Sequence, residues 1–327
     1  MEYNSLIYSI LILALAGFLY NKLKLNIEES EKIDELNIIK KYLLKETEFT
    51  IDKLSAIKKP IIWIHLDYVC NSRNWESFLN RNTNELNQDY LYLTIRSIIN
   101  KCSDDFHIIL IDDKSFSKIL ENWTVDLSKI SCGHKENIRL LALMKTLHTY
   151  GGVLIEPSFI LFKSIKDIYY DVLTSGKMFV GEFANKGLDS HIMHLTPSTN
   201  LIGCIKNCPI MYEFMKHIEL LVNIDYTNET QLLNLTNKWL LSKIQNKEIN
   251  YIDGIYLGIK NKNNDIITLE DLMSSTYIGI HENAYGLYIP HKDLLKRNLY
   301  NWFVYLNTEK VLESNTNIGK YLLISNQ

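Results

Sequence analysis

The sequence predicts an α/β protein: a mostly parallel sheet of about six strands flanked by helices, preceded by an N-terminal membrane helix. Three observations predict it. Residues 134–165 pass from a helical pattern through two glycines into a short apolar run that ends in an acidic residue. Other short apolar runs alternate with longer helical patterns on both sides of that stretch. The chain also opens on an apolar segment without charge.

That opening segment, residues 3–21, is 19 residues long. A helix rising about 1.5 Å per residue needs near that length to cross a bilayer core of roughly 30 Å. Tyr3 and Tyr20 stand at its ends, where aromatic rings favour the headgroup region. A cleavable signal peptide is the rival reading, because Ala14-Leu15-Ala16 resembles a cleavage site. Glu2 and the lack of any Lys or Arg ahead of the run oppose it. Residues 26–59 are charge-rich, with Ile33, Leu36, Ile39 and Leu43 at helical spacing. The expected organisation is a transmembrane anchor at 1–25, a helical stem at 26–59 and one globular domain at 60–327. Lys22 and Lys24 follow the apolar run, so the positive-inside rule favours the cytoplasm over the lumen for that domain of a single-pass membrane protein.

Pro60 ends the stem, and residues 61–66 read as the first strand. Residues 91–100 then form a helix that buries Leu93, Ile95, Ile98 and Ile99. His107–Ile111 is the second strand and runs into Asp112-Asp113. Acids just past a strand end can hold a ribose hydroxyl or a base, or can cap a helix at 114–120. Leu140, Leu143, Met144 and Leu147 share one helix face at i, i+3, i+4 and i+7. Gly151 and Gly152 end that helix, since a left-handed conformation costs glycine nothing. Val153, Leu154 and Ile155 form a fully apolar strand, as expected where both faces of a sheet are covered. Pro157 cannot donate to a ladder and interrupts it, so Glu156 stands at the strand's carboxyl end. Open α/β sheets bind their ligands there. Strands follow at 178–183 and 201–205, and helices at 210–222 and 231–244. Beyond Asp253 short strands and turns, including 277–280, 302–306 and 321–324, are expected to pack on the sheet and roof the site.

Composition narrows the function. A formal net charge of −3 with no Lys/Arg cluster opposes a nucleic-acid partner. Five cysteines, Cys70, Cys102, Cys132, Cys204 and Cys208, make an odd count and no disulfide framework. Cys204 and Cys208 lack the spacing of a zinc knuckle and read as buried thiols. No Gly-x-Gly-x-x-Gly follows any strand, which disfavours a dinucleotide oxidoreductase. The sequence sets no oligomeric state.

Glu136, Arg139 and the run Tyr150-Gly151-Gly152 ahead of an apolar strand resemble the core of the capsular polysaccharide synthesis family and its relatives, the DXD-type sugar transferases of the GT-A fold. The opening Pro60-Ile61-Ile62-Trp63-Ile64-His65 is similar to that family's first strand, and Asn200-Leu201-Ile202-Gly203 to a later one. The resemblance covers residues 60–225 and implies a GT-A-like, Rossmann-type sheet. It departs where the family carries Asp-x-Asp or Asp-Ala-Thr, because this chain carries Glu156-Pro157-Ser158.

The resemblance implies a membrane-anchored glycosyltransferase that takes a nucleotide-sugar donor and a glycan or polysaccharide acceptor. Departure of the nucleoside diphosphate develops negative charge, which Mn²⁺ or Mg²⁺ held by hard oxygen ligands can neutralise. Glu156 would supply one ligand, Ser158 a hydroxyl, and His281, late in the chain, another. Arg139 would hold Glu156 or a phosphate, and Glu136 a sugar hydroxyl or Arg139 itself. His65 lies where the nucleotide base is expected, beside Asp112 and Asp113. His291, Lys292 and Arg297 are candidate diphosphate contacts. The implied catalytic set is thus Glu156, Arg139 and Glu136, with Asp tolerated at position 156 better than Ala. The competing reading is a protein that keeps the fold without the chemistry and serves as an interaction module.

Overall fold

Residues 57–66, 88–186, 190–224 and 229–326 are described by the computed structural model, together with Tyr20, Lys22 and Leu54. Nearly all of the expected anchor at 1–25 and of the stem lies outside the described residues. Among the described residues no helix is long and apolar enough to cross a membrane.

The main sheet has six strands in the order β2-β1-β3-β6-β5-β7. These are β1 (Ile61–His65), β2 (His107–Ile111), β3 (Gly152–Ile155), β5 (Met178–Ala184), β6 (Leu195–Cys204) and β7 (Ile249–Ile252). β1 pairs in parallel with β2 and with β3, and β5 with β7, while β6 runs antiparallel to both its neighbours. The sheet is therefore mostly parallel, as the apolar runs predict, with a single reversed strand. β4 (Phe159–Leu161) and β8 (Gly286–Tyr288) form a separate antiparallel ribbon.

The connections explain the order. After β1, helix α1 (Asp89–Cys102) leads to β2 on one side. The short helix α2 (Phe116–Ile119) and the long α3 (Cys132–Tyr150) then return the chain to β3 on β1's other side. The chain thus winds in opposite directions from β1, which makes the carboxyl ends of β1 and β3 a topological switch point. Helices α4 (Lys166–Ser175), α5 (Pro209–Asn223) and α6 (Glu229–Gln245) carry the later crossovers.

Successive strand residues face opposite sides of the sheet, so each strand feeds two cores. On one side Trp63, Ile109, Ile111, Leu154, Val180 and Ile202 pack with Met144 and Leu147 of α3, Phe214 and Ile218 of α5, and Leu240 of α6. The intervening Ile62, Ile64, Ile108, Leu110, Val153 and Ile155 are also fully buried, which accounts for the unbroken apolar runs. The junction into β3 is pinned twice. Trp63 Nε1 donates to the Gly151 carbonyl at 2.9 Å, and the Tyr150 hydroxyl donates to the Ile119 carbonyl at 2.6 Å.

The last third of the chain departs from the expected short strands. Residues 277–280 form no strand, residues 302–306 lie largely in a 3-10 turn (Asn301–Tyr305), and 321–324 belong to α10 (Asn317–Asn326). Before α10 come α7 (Leu269–Met273), α8 (His291–Lys296) and α9 (Thr308–Glu313). α10 packs on α1 and β4, where Ser325 Oγ donates to the Leu161 carbonyl at 2.6 Å.

Candidate functional site

At the switch point a cavity of about 300 Å³ opens above the ends of β1 and β3. Its floor is His65 and Leu66 at the end of β1, and Leu154, Ile155, Glu156 and Pro157 at the end of β3. α3 contributes Glu136, Arg139, Leu140 and Leu143, and α8 roofs it with His291, Lys292 and Leu295. The helix face read from the sequence thus does two jobs. Met144 and Leu147 are fully buried under the sheet, whereas Leu140 and Leu143 line the cavity.

Arg139 organises the charged wall, but not with the partner expected. Its Nε and Nη2 donate to the two oxygens of Asp113 at 2.7 and 2.8 Å, a bidentate fork, and Nη1 donates to Glu136 Oε1 at 2.9 Å. It therefore ties α3 to the end of β2 rather than holding Glu156. Asp113 also takes His65 Nε2 at 3.0 Å and Lys135 Nζ at 3.1 Å. Burial alone would raise the Asp113 carboxyl, yet the hydrogen bonds from His65 and Arg139 outweigh it and hold the group far below the carboxylate range. The His65 ring also stacks on Phe116, nearly parallel at 5.8 Å between centroids.

Asp112 has a local task. Its Oδ1 accepts from the Ser115 amide at 2.9 Å and from the Ser115 hydroxyl at 2.6 Å, closing the turn into α2. Neither Asp112 nor Asp113 lines the cavity, so the expected direct contact with ribose or base is replaced by support from behind. Glu136 does line it, with Lys292 Nζ on Oε2 at 3.0 Å and Arg139 on Oε1. Burial raises its carboxyl, but the charges of Lys292 and Arg139 bring it below its ordinary value.

Glu156 stands apart from that cationic cluster. The Tyr288 hydroxyl donates to its Oε2 at 2.9 Å, and Asn200 Nδ2 donates to the same hydroxyl oxygen at 3.2 Å. Its own amide donates to the Asn200 carbonyl at 3.0 Å, extending the β3–β6 ladder by one step. Burial raises the Glu156 carboxyl above its ordinary value, a rise that the Tyr288 bond and the charges of Lys186 and Lys292 reduce without cancelling. Tyr90, hydrogen-bonded to His291, has its hydroxyl pushed up by burial and by the Glu156 charge.

The remaining expected ligands lie elsewhere. Ser158 is fully buried, is absent from the cavity wall, and its Oγ has no hydrogen-bond partner. His281 lines a different cavity, with Tyr277, Tyr321 and Lys320, and its Nδ1 accepts from the Asn283 amide at 3.1 Å. Arg297 pairs with Glu270 and does not line the switch-point cavity. Mg²⁺ demands near-octahedral oxygen ligation. The donor set does not fit it: both Glu136 oxygens are held by cations, Asp113 is held by Lys135, Arg139 and the His65 ring, and Ser158 and His281 are outside, which leaves the single carboxylate of Glu156. Among the described residues no three His, Cys, Asp or Glu side chains are grouped to hold a metal ion.

Sequence reasoning missed Tyr288, Tyr90, Lys186 and the role of Asn200. Tyr288 sits in a three-residue strand, too short for any period to register. Asn200 lies midway along β6, just before its legible apolar part, but nothing local ties it to a residue 88 positions away.

No protein-family model matches this chain, and no curated protein matches it significantly. Among solved structures it is similar to PaToxG glycosyltransferase at 13% identity and a TM-score of 0.32, over 57% of this chain and 70% of that one. It is also similar to 4-diphosphocytidyl-2C-methyl-D-erythritol synthase from Anaerococcus prevotii, at 12% identity and a TM-score of 0.32, over 65% of this chain and 92% of that one. Likeness at this level carries no inference about substrate or chemistry.

Proposed function

We propose that the switch-point cavity binds a nucleotide-linked sugar and transfers the sugar to a hydroxyl of a glycan acceptor. One observation carries this reading. His65 and Glu156, at the ends of two strands that the chain leaves in opposite directions, open into one cavity roofed by His291 and Lys292. Nucleotides bind open α/β sheets at such a point. The cavity is also two-natured, as an amphipathic ligand requires. Leu66, Leu91, Leu140, Leu143 and Leu295 offer an apolar wall for a base or a sugar face, and the charged groups lie beside it.

The residues divide the work by position. Lys292 reaches from α8 on a half-exposed arm, so its ammonium can meet a diphosphate at the mouth. Asp113 acts from behind and Arg139 from the wall itself: they fix the His65 ring and the Glu136 carboxylate, which turn to the ligand. The apolar residues 3–21 would hold this domain at a membrane, facing the cytoplasm, where a growing polysaccharide is the acceptor.

Thermal stabilisation by nucleoside diphosphates and their sugar conjugates tests the reading. A ligand at about 100 times its Kd stabilises by about 2.7 kcal/mol, a rise of a few degrees in melting temperature. A second reading, a fold kept as an interaction module, is favoured by the engagement of Arg139 and Glu136 with each other. Absence of any shift across the nucleotide panel would remove the transferase reading and leave that one.

A further inference from the structure

The resemblance implies a metal ligand at position 156, and the side chains around Glu156 argue for another task. Its carboxylate is the one in the cavity wall that touches no cation: its partner is a neutral hydroxyl, Tyr288, at 2.9 Å. The proton of that hydroxyl is committed. Asn200 Nδ2 donates to the Tyr288 oxygen at 3.2 Å, so Tyr288 directs its own hydrogen at Glu156 Oε2. Oε1 carries no hydrogen bond among the described residues. The backbone is equally fixed, because Pro157 ends the strand and its carbonyl accepts from Thr94 Oγ1 of α1 at 2.6 Å. Carboxylates built to bind a cation gather several oxygens, and Ser158, the nearest candidate, is sealed in the core.

We propose that Glu156 is the general base of the transfer and that Lys292, rather than a divalent cation, offsets the charge of the leaving diphosphate. The assignment rests on the sugar-transfer reading and specifies its chemistry. Oε1 takes the proton of the acceptor hydroxyl as that oxygen forms its bond to the anomeric carbon. The bond from that carbon to the diphosphate oxygen breaks, and the nucleoside diphosphate leaves with the electron pair beside the Lys292 ammonium. Tyr288 is a positioning residue, holding Oε2 so that the opposite oxygen faces the acceptor.

The test uses the full chain with UDP, GDP and their glucose and mannose conjugates. Affinity is measured by calorimetry in EDTA and in MnCl₂, and slow hydrolysis of the sugar nucleotides by product release. Wild-type affinity is expected to agree within about twofold with and without Mn²⁺. Glu156→Gln, checked for an unchanged melting temperature, should bind nucleotide as well as wild type. Its hydrolysis should fall by at least about 100-fold, the lower range for losing a general base. Glu156→Asp keeps the charge but draws the carboxylate back from Tyr288, so its hydrolysis should fall as well.

A tenfold gain in affinity with Mn²⁺, lost in Glu156→Gln, would make Glu156 a metal ligand and overturn the proposal while leaving the sugar-transfer reading intact. Undiminished hydrolysis in Glu156→Gln or Glu156→Asp overturns it too, as does a wild-type protein that binds sugar nucleotides and cleaves none. Failure of wild type to bind any of these nucleotides instead removes the sugar-transfer reading itself.

Discussion

Asp113 holds more of the site together than any side chain that lines it. It collects His65 from β1, and Lys135 and Arg139 from α3, on a carboxylate only 19% exposed. Removing one partner from such a cluster leaves an uncompensated charge, which costs several kcal/mol when buried. With the exposure Asp113 keeps, Asp113→Asn should lose about 2–3 kcal/mol at pH 7, read from urea unfolding. The acid dependence follows from the sign of its shift. The folded carboxyl lies far below the ordinary aspartate value of about 3.9, so its contribution is complete well above that pH and declines as the pH falls below it. The gap between wild type and Asp113→Asn should therefore narrow at pH 3, and an equal gap at both pH values would refute the ion-pair account. The sequence flagged the pair Asp112-Asp113 without separating the members. Asp112 serves a turn three residues long, a local pattern; Asp113 serves partners 26 and 48 positions away, which no local spacing reveals.

Elements were legible where they were long and periodic. The helices at 210–222 and 231–244 lie within Pro209–Asn223 and Glu229–Gln245, and the second strand has the bounds expected. Short apolar runs late in the chain were misread as strands because four or five apolar residues fit either period, and tertiary packing decides between them. Ile318 and Leu322 are buried at helical spacing on α10, against α1. The Gly151-Gly152 junction was legible as a helix end, but the packing reason came only with the sheet. Gly152 has a φ of +100°, and a Cβ there would run into the Ile61 carbonyl of β1. Gly176 has a φ of +65° at the end of α4, with nothing within 4 Å of such a Cβ. Gly176→Ala should thus cost about 1–2 kcal/mol, the left-handed penalty alone. Gly152→Ala must also force β1 from β3, so it should yield far less folded protein. Comparable denaturation midpoints for the two variants would show that the β1–β3 contact tolerates a side chain.

Over the whole molecule, the fold builds one end of the site from its middle and closes it from its last third. Glu136 on α3 and Lys292 on α8 are 156 residues apart in sequence, yet their side chains meet at 3.0 Å across the cavity mouth. Lys186 reaches α8 as well, through Asp293 at 2.9 Å. Both pairs are partly exposed, and exposed pairs contribute about 0–1 kcal/mol each. Their weight in folding is therefore small, and of the two lysines it is Lys292 that lines the cavity and, on the reading proposed above, would meet an anionic ligand. Lys292→Ala separates the two effects. Its ligand-free melting temperature should stay within a degree or two of wild type, because the pair with Glu136 is exposed at the Lys292 end. Its affinity for a nucleoside diphosphate should fall about tenfold, the equivalent of a single charge-assisted hydrogen bond near 1.4 kcal/mol. The loss should shrink in high salt, since a cation at an open mouth is screened over a Debye length of about 3 Å at 1 M. Unchanged affinity in Lys292→Ala at low salt would place the diphosphate elsewhere in the cavity and return α8 to a purely structural role.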